Sequence, residues 1–227
     1  MDKTQLKRHN LVFLTEAGRK SVLQRVTQQI QNEEALKAAE EIFCAAAAVP
    51  GIIRRDDTGA DCEIAIGFVH YRRMDGNRLR IATYATAEEI GRIVSIYTLT
   101  GRPNQRRTEC MRIIDTITSL ADDNGLQIGI LGSAGMELVT GLPYTDECSD
   151  IDILLKPAPY SVLKQFYTKA KSLSPQINMD FELELPNGYG IKLVELFMDT
   201  STVLGKSIKD VDLLNKKEIM QMLEREK

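Results

Sequence analysis

Apolar and polar positions alternate along this chain with two different periods, and the changes between them mark its elements. Leu11-Val12-Phe13-Leu14 is a short apolar run that predicts a strand. Over 17–31, Val22, Leu23, Val26 and Ile30 recur on one helical face. A second helix is expected from Asn32 through Ala35, Glu40, Ile42 and Phe43, along an alanine run to Ala48, where Pro50-Gly51 stops it. Ile52-Ile53 and Glu63–Arg72 read as strands, with Ile64, Ile66, Phe68 and His70 alternating in the second. Met74-Asp75-Gly76-Asn77 carries the Asp-Gly signal of a tight hairpin, and Arg78–Tyr84 is its returning strand. Thr86-Ala87-Glu88-Glu89 matches a capping box and predicts a short helix towards Ile93. Gly101-Arg102-Pro103-Asn104 then breaks the pattern, and a domain boundary is expected there, dividing the chain into residues 1–103 and 104–227.

The second segment opens with a helix from Gln105 to Asp123, striped by Cys110, Ile113, Ile114, Ile117 and Leu120 and stopped by Gly125. Gln127–Leu131 is an apolar strand that ends at Gly132-Ser133, with a helix after it, and Ile151–Leu155 is a second buried strand. Tyr160–Ser172 reads as helix. Ile177, Met179, Phe181, Leu183 and Leu185 alternate with Asn178, Asp180, Glu182 and Glu184, the period of a half-exposed strand. Pro186-Asn187-Gly188 turns it into a partner over Gly190–Phe197, and Asn215-Lys216-Lys217-Glu218 caps a last helix over Glu218–Glu226. The sum is an α+β chain: an N-terminal α/β sub-domain followed by a mixed sheet flanked by helices.

Composition changes this picture little, and charge changes it more. The chain has 227 residues, 43% of them hydrophobic and 27% charged, as in an ordinary globular protein. It lacks the ~20-residue apolar run of a membrane span, and its start, Met1 to Arg8, lacks the apolar core of a signal peptide. Cys44, Cys62, Cys110 and Cys148 are widely spaced, so a cytoplasmic protein with reduced thiols is expected. Residues 1–108 carry 17 Lys and Arg against 13 Asp and Glu, and hold 13 of the 15 arginines. Residues 109–227 carry 12 against 19. Arginine forks suit phosphates and clustered carboxylates suit divalent cations, so the asymmetry fits two sub-domains with different ligands. A sequence pI near 5.6 and 6% aromatics give nucleic-acid binding little support.

The candidate chemistry lies between Leu131 and Leu155. Asp150-Ile151-Asp152 puts two carboxylates on one face of a strand, where they repel unless a cation such as Mg²⁺ neutralises them. Gly132-Ser133, between strand and helix, offers backbone N–H groups and a hydroxyl to a phosphate. Asp180 and Glu182 are further outward acids, either of which supplies a third carboxylate, and three carboxylates around a phosphate-binding turn form the hardware of metal-assisted phosphoryl transfer. Among the basic residues, Arg54-Arg55 and Lys206 are the candidates for phosphate contact. His9 and His70 are too few and too far apart for a metal triad, and Cys148 has nothing beside it to make a thiolate; these three read as structural.

This order of strand, Gly-Ser, helix, Asp-x-Asp strand and acidic strand resembles the nucleotidyltransferase superfamily related to DNA polymerase β. A narrower resemblance rests on Gly132-Ser133, Leu138-Val139-Thr140-Gly141-Leu142-Pro143-Tyr144 and Ser149-Asp150-Ile151-Asp152-Ile153-Leu154. It is to the malonate decarboxylase holo-acyl-carrier-protein synthases, also called phosphoribosyl-dephospho-CoA transferases. The Thr-Gly-Leu-Pro-Tyr insert accounts for the long gap between Ser133 and Asp150. Lys7-Arg8-His9-Asn10-Leu11, Pro50-Gly51-Ile52-Ile53-Arg54-Arg55, Leu185-Pro186-Asn187-Gly188, Leu193-Val194-Glu195-Leu196 and Thr202-Val203-Leu204-Gly205-Lys206 agree with it. The chain departs from the family in having no tryptophan and in placing Asn10, not aspartate, after His9.

The resemblance implies an enzyme with a polymerase-β-like catalytic domain over 104–227, preceded by a domain that binds substrate or carrier protein. The donor it implies is triphosphoribosyl-dephospho-CoA. The acceptor is a serine of the apo acyl carrier protein of malonate decarboxylase, and diphosphate is released, with no part for nucleic acid or membrane. Asp150, Asp152 and Asp180 would hold Mg²⁺, and the superfamily's usual aspartate on the third strand favours Asp180 over Glu182, with Glu195 on the paired strand as an outside alternative. A generic nucleotidyltransferase acting with a nucleoside triphosphate is the competing reading. A catalytically dead binding module is a third, against which Gly132, Ser133, Asp150 and Asp152 argue.

Overall fold

Seven helices and two sheets build the chain in a computed structural model that describes residues 6–44, 49–55 and 63–225. The alanine run to Ala48, the start Met1 to Gln5, Cys62 and Glu226 lie outside the described residues. Two compact units divide it: one over 1–96 together with Leu142–Tyr144, the other over Tyr97–Gly141 and Thr145 onward. Among the described residues no helix is long and apolar enough to cross a membrane.

In the first unit, β1 (Leu11–Leu14), β2 (Gly51–Ile53), β3 (Glu63–Met74), β4 (Asn77–Thr86) and β5 (Ile90–Val94) form an antiparallel sheet in the order β4-β3-β2-β1-β5. Helices α1 (Glu16–Thr27) and α2 (Glu33–Cys44) pack against β4 and β3. Thr15 caps α1 by accepting from the Gly18 N–H at 2.9 Å. The inward positions Ile81, Thr83 and Ala85 of β4 alternate with outward Arg80, Ala82 and Tyr84, and Phe43 of α2 meets Phe68 of β3 edge-on at 4.8 Å. Asp75 and Gly76, both at positive φ, make the β3–β4 hairpin turn that the Asp-Gly pair predicts. His70 is buried on this face, its Nε2 3.0 Å from Glu41 and its Nδ1 accepting from the Arg72 N–H.

The helix expected after Thr86 is absent. The capping signature does make a turn, with the Thr86 N–H donating to the Glu89 carboxylate at 3.0 Å. The residues after it, Ile90-Gly91-Arg92-Ile93-Val94, pair instead with β1. A four-residue local signal lost to a non-local ladder, which covers a sheet edge with β-branched side chains.

In the second unit, α3 (Glu109–Asp123) begins four residues later than the stripe suggests, because Thr108 caps it and Arg106 before it has a positive φ. Then come β6 (Ile128–Ile130), α4 (Gly132–Thr140), β7 (Ile151–Leu155), α5 (Tyr160–Leu173), β8 (Met179–Glu184), β9 (Gly190–Lys192), α6 (Leu193–Phe197), β10 (Thr202–Lys206), β11 (Val211–Asn215) and α7 (Lys216–Arg225). The sheet runs β11-β10-β9-β8-β7-β6 and is antiparallel except between β7 and β8, which α5 links as a parallel crossover. Phe166 of α5 packs edge-on to Phe181 of β8 at 5.9 Å under this crossover. The strand expected over Gly190–Phe197 stops at Lys192, because Leu193 and Leu196, both buried, take helical spacing in α6. Glu195 therefore lies on a helix, where its carboxylate accepts from the Leu204 N–H at 3.0 Å.

Candidate active site

The site grows from the end of β6. All three residues of that strand are buried, and the next N–H, of Leu131, donates to the Asp152 carbonyl at 2.8 Å. Gly132 has φ +58, and a Cβ built on it would lie 2.2 Å from Asp152 Oδ2. Only glycine fits there, and its bareness brings the first turn of α4 against the carboxylate. Gly135 repeats the device one turn later, where a Cβ would meet the Ile130 carbonyl at 2.5 Å. No side chain caps the opening N–H groups of α4, so that turn presents unpaired backbone donors.

Strand alternation puts Asp150 and Asp152 on one face and the fully buried Ile151 and Ile153 on the other. The parallel register then sets Asp180 of β8 directly opposite Asp152, and Glu182 opposite Leu154. Lys192 of β9 stands opposite Glu182 and reaches diagonally to Asp180, Nζ to Oδ2 2.8 Å. Burial pushes the Asp152 carboxyl up to about 6; Asp150, Asp180 and Glu182 add to the shift, and Lys192 opposes it. Four acids thus crowd one end of the β7–β8 pair. Their oxygens are the hard donors that a divalent cation prefers. Among the described residues, no three His, Cys, Asp or Glu groups are arranged to hold a metal ion, and Lys192 engages Asp180.

A buried network fixes the segment that leads into Asp150. Glu137 of α4, 6% exposed, accepts from Arg107 Nη2 at 2.9 Å, from the Thr145 N–H at 2.6 Å and from the Thr145 hydroxyl at 2.8 Å. Arg107 also donates to the Thr145 carbonyl, and Thr108, the cap of α3, bonds Thr145. Ser149 Oγ accepts from the Asp146 N–H and donates to the Asp146 carboxylate. A lone glutamate in an apolar helix gave no sequence signal for this role. Lys192 did have one: counting back from the Pro186-Asn187-Gly188 turn sets it opposite Glu182.

Arg54 and Arg55 follow β2 in the first unit and are exposed, the Arg54 stem lying over Gly67. Lys206, exposed, shares a row with Gly190 and Glu184, at the far end of β8 from Asp180. Cys148 is an exposed thiol. Cys110, whose thiol burial pushes up to about 12, donates to the Asp150 carbonyl, so neither its protonation state nor its setting is that of a nucleophile.

Comparison with known proteins covers this unit. Residues 98–217 match the model of the phosphoribosyl-dephospho-CoA transferase MdcG C-terminal domain. Over 171 residues, 75% of this chain and 80% of the relative, it is 26% identical to the phosphoribosyl-dephospho-CoA transferase of Pseudomonas fluorescens (strain Pf0-1). No solved structure matches the chain.

Proposed function

The chain belongs to the phosphoribosyl-dephospho-CoA transferase family and is a transferase, and from that premise we propose that it attaches the prosthetic group of triphosphoribosyl-dephospho-CoA to a serine of the apo acyl carrier protein of malonate decarboxylase. The observation that carries this reading is the pairing of Asp152 with Asp180 beside the bare turn at Gly132. Phosphoryl transfer from a triphosphate needs a cradle for the anionic oxygens and acceptors for the charge and proton that move, and these residues supply both.

Gly132 and Ser133 bind phosphate oxygens through the uncapped N–H groups of α4 and the Ser133 hydroxyl. Asp150, Asp152 and Asp180 are the residues that would hold Mg²⁺, which would supply neutralising charge to the triphosphate and to the departing diphosphate. The acceptor serine oxygen forms the new bond to phosphorus, the bond from that phosphorus to the diphosphate oxygen breaks, and Asp180 takes the serine proton. Arg54, Arg55 and Lys206 are assigned to anionic groups of the donor or of an acidic carrier surface. The first unit serves substrate and carrier binding, and the enzyme works in the cytoplasm, where its thiols stay reduced.

A generic nucleotidyltransferase would use the same acids, so the donor decides between the two. Diphosphate release is measured with triphosphoribosyl-dephospho-CoA and with ATP, each in the presence of the apo carrier protein. Release only from the CoA derivative supports the proposal, and release from ATP alone overturns it.

A further inference from the structure

Lys192 has a place in this site that the turn after β8 sets. The turn after β8 is closed by the Leu185 N–H donating to the Tyr189 carbonyl at 2.7 Å, and it fixes the pairs Glu184–Gly190, Leu183–Ile191 and Glu182–Lys192. The Lys192 backbone is held at both ends, by this ladder and by the fully buried Leu193 that opens α6. Its side chain is not: the Lys192 and Asp180 side chains are 48% and 35% exposed. A second lysine on the same sheet marks the contrast. Lys156 pairs with Glu184 at the other end of β8, its ammonium over the Tyr97 ring at 4.3 Å, with the Tyr97 hydroxyl donating to the same Glu184 oxygen. That cation is packed in place, whereas the one at Asp180 is half-exposed on a flexible four-carbon stem and held by the carboxylate.

On the reading that Asp150, Asp152 and Asp180 hold the divalent cation, we propose that Lys192 is the resident counter-ion of the acid cluster and that metal binding displaces its ammonium from Asp180. A sheet face with Asp150, Asp152, Asp180 and Glu182 close together is held against its own repulsion by a cation the chain supplies. The ammonium and a metal would compete for the Asp180 carboxylate, so Lys192 weakens metal affinity and keeps the metal-free site assembled. Lysine suits this because its ammonium is a compact charge on a flexible stem; the planar fork of an arginine would hold the carboxylate in two bonds.

The test is Mn²⁺ binding, followed by the electron paramagnetic resonance of free Mn²⁺ and by calorimetry, with the full chain and no donor. Lys192→Met should bind Mn²⁺ about tenfold more tightly than the unaltered protein, through loss of one positive charge within ~4 Å of a ligand. Lys192→Arg should bind no more tightly than the unaltered protein, and Asp180→Asn should bind weakly whatever stands at 192. A second measurement needs no loss of charge: with lysines reductively dimethylated with ¹³C, the methyl resonance missing in Lys192→Arg should shift when Mg²⁺ is added. Equal or weaker Mn²⁺ binding by Lys192→Met, or a Lys192 resonance unmoved by saturating Mg²⁺, overturns the proposal. Absence of Mn²⁺ binding in both the unaltered protein and Lys192→Met overturns the metal assignment itself, and the role of Lys192 with it.

Discussion

Asp152 of β7 and Asp180 of β8 face each other in parallel register, and the second of them is bonded to Lys192 at 2.8 Å. Two like charges at neighbouring positions of a sheet destabilise it unless something is gained elsewhere. On the proposed reading, the gain is a site for a divalent cation and phosphates.

Asp152→Asn should abolish turnover while sparing the fold. Removing a carboxylate crowded by three others relieves repulsion, so the metal-free variant should melt no lower than the unaltered protein. Its rate of diphosphate release should fall roughly a thousandfold, about 4 kcal/mol of barrier. Thermal denaturation in EDTA and a diphosphate-release assay check the two halves separately.

Gly132→Ala tests the close approach. The new Cβ would meet Asp152 Oδ2 at 2.2 Å and would sit on a backbone with φ +58. The strain should cost about 1–3 kcal/mol in urea denaturation. Turnover should fall further than that loss explains, because Asp152 must move.

Arg107→Met leaves Glu137 buried without its cation, though Thr145 still donates to it. A loss of about 3 kcal/mol is expected. Glu137→Gln, which keeps the shape and an acceptor, should lose less. Urea denaturation of both variants at neutral pH provides the comparison.

In the first unit, hydrogen bonds from Arg25 hold the Glu89 carboxyl down at about 2, against an ordinary 4.5. A depressed carboxyl stabilises the fold above its unfolded pKa and loses that contribution as pH falls through the folded one. Because Arg25 is 44% exposed, solvent reduces the contribution to about 1 kcal/mol. Glu89→Gln should therefore be less stable than the unaltered protein at pH 7. The gap should start to narrow below about pH 4.5 and close near pH 2. A gap that stayed constant over this range would show that the Arg25 pair contributes nothing to stability.

Much of the fold is legible in the residues, for local reasons. The apolar runs at 11–14 and 151–155, the alternation through Met179, Phe181 and Leu183, and the Asp75-Gly76 turn each state their element within a few positions. The elements that escape are settled at a distance. The Thr86 signature makes its turn, but pairing with β1 makes Ile90–Val94 a strand. β10 alternates in burial, but its residues Thr-Val-Leu-Gly-Lys do not alternate in polarity, and in β11 the edge residue Leu213 is 72% exposed, so neither announces a strand. At the site, Gly132, Ser133, Asp150 and Asp152 stand out in the sequence, whereas the register that sets Asp180 against Asp152 depends on the α5 crossover, and Glu195 lies on a helix that begins one residue after Lys192 and accepts from the Leu204 N–H.

The central claim is that this acid cluster transfers a prosthetic group to a carrier-protein serine, and intact-mass spectrometry of the carrier protein tests it most directly. The apo acyl carrier protein of malonate decarboxylase is incubated with the enzyme, Mg²⁺ and triphosphoribosyl-dephospho-CoA. The account predicts one mass increment equal to the donor less diphosphate, located on a single serine, and none with Asp152→Asn. An unmodified carrier protein, or an increment of AMP appearing with ATP in place of the CoA derivative, would contradict it.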